Sequence, residues 1–432
     1  MNYYDIKNPN QKVSLKEAVL KSISAESGLY MPDHIPALPD SFFANLSNLN
    51  LQEIAFEVSN AMLGEDIPHE VLKQIVNEAI SFSIPLKQLD ENLFVLELFH
   101  GPTLAFKDVG ARFMAGLFQY FLRNKNREVV ILVATSGDTG SAVANAFYTI
   151  KGVKVVILYP SGKVSELQEK QLTTMGGNIT ALEVEGNFDD CQRMVKQAFA
   201  DAELNQKLNL TSANSINFAR LFPQSFFYFN AIAQLGKVDK PVVISVPSGN
   251  FGNLTSGLIA KKMGLPVRRF IAATNRNHVV PDYLKSGEYL PQQTHHTITN
   301  AMDVGNPSNF PRMLEIYQKQ QLAMAADIKG YWYTDDQTRA AMMELQEKYA
   351  YQSDPHGAVA YAALKESGLL NDTIGIFLET AHPAKFPEEV EKSTQVKVYI
   401  PETLTAIMKL EKKSIRISDD YTSLIQLLKQ MI

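Results

Sequence analysis

The stretch VVISVPSGNFGNLTSGLIAKKMG, residues 242–264, decides the fold class. Four valine and isoleucine residues, with Ser245 the single polar one, fill 242–246 without regular polar alternation. That is the pattern of a strand buried on both faces. A turn follows at Pro247-Ser248-Gly249-Asn250-Phe251-Gly252-Asn253, and helical spacing then takes over. Gly249 and Gly252 let backbone N–H groups approach a ligand closely. The helix start adds unpaired N–H groups and the positive end of its dipole. Two readings stay open on these residues: a cradle for a phosphate dianion, or a tight strand-to-helix turn whose glycines serve packing. No Gly-Lys-Ser/Thr follows, and G-x-G-x-x-G is not matched.

Working outward, the same texture recurs from about residue 92. FVLELF, VVILVA, KVVILY, ITALEV, VVISVP and RFIAAT read as strands. Helix-like stretches over 165–175, 189–202, 216–235 and 254–263 lie between them, and IGIFLET is a further strand. Strands alternating with helices predict open, mostly parallel α/β sheets. Ligands of such sheets sit beyond the carboxyl ends of the strands. Residues 1–93 read as mainly helical: NLQEIAFEVSNAML and PHEVLKQIVNEAISF carry i, i+3, i+4 apolar spacing. GLYMPDHIPALPD is an extended loop, 287–309 a long polar loop, and 331–350 and 358–369 are helices. The tail, 409–432, is an amphipathic terminal helix. The expected division is an N-terminal mainly helical domain at 1–93, a small α/β domain at 114–235, and a large α/β domain made of 94–113 and 236–432.

Two more strand ends carry unusual turns. In VVILVATSGDTGSAVANAF, Ser136, Gly137, Asp138 and Thr139 form a hydroxyl-lined turn before a helix. It suits a carboxylate or phosphate, or else simple N-capping. In FVLELFHGPTLAFKDVGARF, Lys107 falls in the first turn of a helix, where the dipole disfavours a cation. Apolar Leu104 and Phe106 add desolvation. Both effects suit a lysine that forms a Schiff base. The plainer alternative is a solvated lysine paired with Asp108 or Glu97. Together, a lysine, a phosphate cradle and a carboxylate cradle suggest a phosphorylated aldehyde cofactor handling an amino acid. Pyridoxal 5'-phosphate answers that description.

At this point HGPTLAFKD, ATSGDTG, ANSINFAR, PSGNFGN, AMDVGNPSNFPR and ETAHPAKFP occur in the order seen in threonine synthases, and GLYMP adds to the likeness. The chain resembles that family over nearly its whole length. The resemblance implies the tryptophan-synthase-β-like fold, type II among pyridoxal-phosphate enzymes: two open twisted α/β sheet domains with a helical N-terminal cap. It implies that Lys107 holds the cofactor covalently and moves protons. Gly249, Asn250, Phe251, Gly252 and Asn253 would hold the cofactor phosphate, and Thr380 would face the pyridine nitrogen. Ser136, Gly137, Asp138 and Thr139 would receive the substrate carboxylate, and Asn214 and Arg220 its phosphate. The implied reaction turns O-phospho-L-homoserine and water into L-threonine and phosphate by γ-elimination and β-hydration, the last step of threonine biosynthesis. A dehydratase, a cysteine synthase or a non-catalytic ligand-binding relative are the competing readings.

The remaining features narrow the class. Net charge is −5 in 432 residues, with 41 basic against 46 acidic side chains. That argues against nucleic acid as partner, since neutralising phosphates needs a basic excess. The lone Cys191 permits no internal disulfide and no cysteine-based zinc cluster, and reads as an inert buried thiol. The polar start lacks a signal-peptide pattern, and apolar runs are far shorter than the roughly 20 residues a bilayer demands. With the lyase activity that the resemblance implies, we expect a cytoplasmic enzyme without metal, membrane or nucleic-acid partners, as a monomer or homodimer. The eight histidines form no H-E-x-x-H. His295 and His296 read as solvated loop, and His100 and His382 as local hydrogen-bonding or functional groups.

Overall fold

The computed structural model describes residues 1–123 and 128–430. The chain divides into two compact units: Met1–Met31, Lys107–Arg220 and Ile400–Ile432 make the first, Pro32–Phe106 and Leu221–Tyr399 the second.

The first unit is built on a five-stranded parallel sheet. In spatial order its strands are Ile415–Ser418, Ile179–Glu185, Val153–Pro160, Val129–Ala134 and Leu210–Thr211. Val129–Ala134 is buried at every position, as an uninterrupted run of valine, isoleucine and leucine requires when helices cover both faces. Helix Phe188–Ala200 turns Cys191, Met194, Val195 and Ala198 into the core that Leu132, Leu158, Leu182 and Val184 share. Its start is set by a capping box between Asn187 and Asp190. Helix Lys107–Leu122 packs beside helix Asp138–Phe147, with Phe118 and Phe147 edge to face at 5.5 Å. Strands Asn2–Asp5 and Asn8–Ser14 pair antiparallel, and Tyr3 meets Phe218 at 5.3 Å.

The second unit holds a six-stranded sheet. Its spatial order is Ile328–Trp332, Val267–Thr274, Val242–Pro247, Ile374–Glu379, Leu93–Glu97 and Leu86–Asp90. The first five are parallel; the last is antiparallel to its neighbour. The alanine-rich helix Pro355–Glu366 packs across the middle of this sheet, where small side chains permit a close approach. Helices Leu51–Leu63 and His69–Ala79 belong to this unit and bury their apolar stripes, the first starting at an Asn50–Glu53 capping box.

The six apolar runs and IGIFLET all form parallel strands, and helices Glu166–Thr173, Phe188–Ala200 and Gly252–Lys262 lie close to the expected positions, while the expected helix 216–235 divides into Phe218–Leu221, a 3-10 turn at Phe222–Gln224 and Ser225–Leu235. Three local expectations change. The first 93 residues include strands as well as helices, because the polar stretch NPNQKVS pairs as an exposed edge that shows no apolar periodicity. Tyr331 ends a strand, Ile328–Trp332; the following helix, Asp335–Tyr349, begins only after the Thr334 cap. The tail is a strand, Ile415–Ser418, and a helix, Tyr421–Lys429; residues 431–432 lie outside the described residues. Pairing of Ile415 with Leu182 puts the tail in the first unit, not with the second as expected from sequence order. Loop 287–309 carries only a short 3-10 turn, Asn300–Met302; His296 is exposed there, as its sequence setting implies. Among the described residues no helix is long and apolar enough to cross a membrane.

Candidate active site

In the second unit, strand Val242–Pro247 delivers the chain into the glycine turn. Phe251 takes a left-handed conformation, φ 58°, and helix Gly252–Lys262 starts there without a side-chain cap. The first-turn N–H groups are thus left to whatever lies beyond the strand end. Gly249 packs directly on backbone: a Cβ built there would stand 2.7 Å from Cα of Met302 and 2.8 Å from the carbonyl oxygen of Ala301. Asn250 is anchored, its Oδ1 accepting from the Ser308 N–H at 3.2 Å and its carbonyl from Asn309 Nδ2 at 3.1 Å. Asn253 is nearly fully buried. Its Oδ1 accepts from the Tyr228 hydroxyl at 2.8 Å, and its Nδ2 has no hydrogen-bond partner. Burial drives the Tyr228 pKa far up, so that phenol remains a donor. A buried amide donor without an acceptor is costly in an empty fold, and it points to an anionic or carbonyl ligand. These residues fit the phosphate of the expected cofactor.

Thr380 follows strand Ile374–Glu379 and is 7% exposed. Its carbonyl accepts from the Phe106 N–H at 2.9 Å, and Ala105 bridges to Ala381. Leu104 adopts φ 56°, a left-handed conformation costing a leucine about 1–2 kcal/mol, and its carbonyl accepts from the His382 N–H. The buried Lys385 ammonium donates to the carbonyl of Thr103 at 3.0 Å. The HGPTLAF turn is therefore stitched to the strand end that bears Thr380. Nearby, Glu97 is 2% exposed and holds His100 at 2.8 Å and Lys87 at 2.9 Å. Burial, reinforced by His100, pushes the His382 imidazole down to about 4, and its Nδ1 accepts from the Ala384 N–H.

In the first unit, Lys107 opens helix Lys107–Leu122, the first-turn position expected from sequence. Its side chain is 17% exposed, with the ammonium 3.8 Å from Asp138 Oδ2. Asp138 is aimed by Gln168, whose Nε2 donates to Oδ1 at 3.0 Å. Thr135 Oγ1 accepts from the N–H groups of Gly137 and Gly140, and Ser141 Oγ donates to the Gly137 carbonyl. Gly137 sits at φ 132°, and a Cβ there would lie 2.6 Å from the Gln168 amide. Only glycine fits that turn. Ser136 and Thr139 flank it at partly exposed positions.

Asn214 and Arg220 also lie in this unit. The Asn214 Oδ1 is buried without a hydrogen-bond partner. Arg220 is 3% exposed; its Nε donates to the Ala213 carbonyl at 2.9 Å and its Nη1 to the carbonyl of Lys107. Burial lowers its pKa to about 10, against which Asp108 works to keep the charge. The sequence reading missed this backbone role, as it missed Gln168 and Tyr228: nothing in a linear motif marks an arginine as a clamp on a lysine carbonyl. Cys191 is buried, its thiol pushed up to about 12 by burial, as an inert core sulfur should be.

Residues 78–378 match the family model described as pyridoxal-phosphate dependent enzyme. Residues 2–80 match the threonine synthase N terminus, and 357–430 its C-terminal part. A protein of Haemophilus influenzae named threonine synthase is 46% identical over 425 residues, 98% of each chain. The crystal structure of threonine synthase from Escherichia coli superposes with a TM-score of 0.95 at 43% identity, covering 100% of both chains. A pyridoxal-phosphate-bound threonine synthase from Brucella melitensis gives 0.92 at 33% identity, covering 100% of this chain and 99% of that one.

Proposed function

The chain belongs to the threonine synthase family of pyridoxal-phosphate-dependent enzymes, and on that premise we propose that it converts O-phospho-L-homoserine and water into L-threonine and phosphate. It is a lyase that uses pyridoxal 5'-phosphate, which when bound supplies the electron sink for carbanion chemistry at the substrate. What carries the reading is likeness over 98% of both chains to a threonine synthase, together with a lysine, two anion-receiving turns and a buried hydroxyl at the matching motifs.

Each of the chain's own groups has a task in this reading. Lys107 is the covalent anchor and the proton carrier; its nearness to Asp138 supports that, since a carboxylate can take up or return the ammonium's proton. The N–H groups of the 249–253 turn and the orphan amide of Asn253 hold the cofactor phosphate. Thr380 would face the pyridine nitrogen of the bound cofactor with a neutral hydroxyl, which stabilises a protonated ring less than a carboxylate does. Ser136, Gly137, Asp138 and Thr139 receive the substrate carboxylate at the start of helix Asp138–Phe147, where the dipole favours an anion. Arg220 and Asn214 hold the substrate phosphate, the first through its guanidinium charge and the second through its amide N–H. The enzyme acts in the cytoplasm, consistent with a lone buried thiol, as a monomer or homodimer.

The test is direct. Purified protein, incubated with O-phospho-L-homoserine, should release threonine and phosphate in equal amounts. Lys107→Ala should abolish both the activity and the yellow colour. Release of 2-oxobutanoate without threonine would replace this reading by a dehydratase.

A further inference from the structure

Beneath the strand end that carries Thr380 lies a cluster of three titratable side chains given no task above. Asp354 and Glu379 are 0% exposed and His356 is 3% exposed. Asp354 caps helix Pro355–Glu366: its Oδ1 accepts from the His356 N–H at 2.5 Å. The same oxygen lies 2.6 Å from His356 Nδ1. Its Oδ2 accepts from the Ala381 N–H at 3.2 Å, the amide of the peptide joining Thr380 to Ala381. His356 Nε2 accepts from the Ala301 N–H at 3.3 Å. A backbone donor at Nε2 settles the tautomer. The imidazole is neutral, carries its proton on Nδ1 and donates it to Asp354. Ala301 and Met302 are the backbone on which Gly249 rests.

Glu379 completes the cluster, and burial beside Asp354 disfavours a second charge there. Its Oε1 accepts from the Asp354 N–H at 2.5 Å. The Ser353 hydroxyl lies 2.8 Å from both Glu379 Oε2 and the Asp354 carbonyl. One hydroxyl proton serves only one of these, so a protonated Oε2 donating to Ser353, which passes its own proton to the carbonyl, satisfies all three atoms. Burial and the neighbouring Asp354 both push the Glu379 carboxyl up, in the direction this pattern needs. A Cβ at Gly357 would stand 1.6 Å from Glu379 Oε2, so residue 357 has to be glycine for the acid to fit.

We propose that Asp354 is a positioning residue that registers the two ends of the cofactor site against each other. It holds the Thr380 peptide directly and the Gly249 turn through His356 and Ala301. The proposal rests on the functional reading above and extends it to residues outside the recognised motifs. Asparagine cannot replace the carboxylate. With its amide nitrogen toward Ala381, two donors face each other; with that nitrogen toward His356, two donors meet there instead.

The experiment titrates pyridoxal 5'-phosphate into cofactor-free wild type, Asp354→Asn and His356→Phe. It follows visible absorbance, its pH midpoint, and far-UV circular dichroism. Asp354→Asn should weaken cofactor binding at least 10-fold and move the pH midpoint of the absorbance by at least half a unit. His356→Phe should weaken binding at least fivefold with the midpoint unmoved, because the Thr380 arm is intact. A folded Asp354→Asn that binds within twofold of wild type, midpoint unchanged, overturns the proposal. If Asp354→Asn does not fold, wild-type binding by His356→Phe overturns it equally. Wild type that takes up no cofactor overturns the functional reading itself, so the two failures are told apart.

Discussion

Gly249→Ala is the sharpest probe of the phosphate turn. Ordinary contacts to a Cβ lie at 3.4–4 Å, whereas the new methyl would stand at 2.7 Å from Cα of Met302 and 2.8 Å from the Ala301 oxygen. Both neighbours are backbone, and the Ala301 N–H is already tied to His356, so neither side yields easily. Overpacking of this kind costs about 1–3 kcal/mol. The relief available is outward movement of the turn by several tenths of an ångström, which lengthens the N–H contacts to a phosphate oxygen. Losing one charge-assisted hydrogen bond costs about 1.5–3 kcal/mol. At about 1.4 kcal/mol per tenfold, cofactor affinity should fall about 10- to 150-fold. The assay is absorbance titration of cofactor-free protein, with competition by inorganic phosphate to isolate the phosphate end. Both affinities should drop together while circular dichroism stays native. Binding within twofold of wild type would falsify the view that this turn is a tight cradle.

Two further outcomes are expected. Arg220→Ala should raise KM for O-phospho-L-homoserine at least 10-fold and, by leaving the carbonyls of Ala213 and Lys107 without their donor, lower the melting temperature by several degrees; Arg220→Lys should recover part of the charge but not the fork, and an unchanged KM for the alanine variant would remove Arg220 from the substrate pocket. The His382 imidazole is held near 4 in the fold against about 6.5 unfolded, so the unfolded chain binds the extra proton first. Stability should therefore be unaffected by this group above pH 6.5 and fall between pH 6.5 and 4, by up to about 1.4 kcal/mol per pH unit. Urea melts of wild type and His382→Gln across that range check it, and identical slopes would refute it.

Strand and helix content was legible because burial on both faces leaves a signature in composition. Runs such as VVILVA and VVISVP are almost wholly apolar, Ser245 being the single polar residue, and each formed a parallel strand. The turns were legible too. Gly137 sits where a side chain does not fit, and Gly249 where one would meet backbone, so local geometry is written in residue type. Lys107 at a helix start was visible because a strand, a glycine-proline turn and a helical pattern meet there. The exposed strands escaped, since NPNQKVS and IRIS owe their pairing to a neighbour and not to their own periodicity.

Long-range side-chain partnerships escaped altogether. Asp354 and His356 read as an ordinary helix start, with proline at the first position, and Glu379 as the end of a strand. Nothing local says that they are buried against each other or that burial pushes one carboxyl up. Gln168 aiming Asp138, and Arg220 holding a carbonyl 113 residues away, are of the same kind. By itself the sequence determined the strands, the turn glycines, the lysine and the family. Tertiary structure decided which polar groups are desolvated and whom they face. The physical reason is that backbone preference depends on neighbours along the chain, whereas charge state and hydrogen-bond partnership depend on neighbours in space.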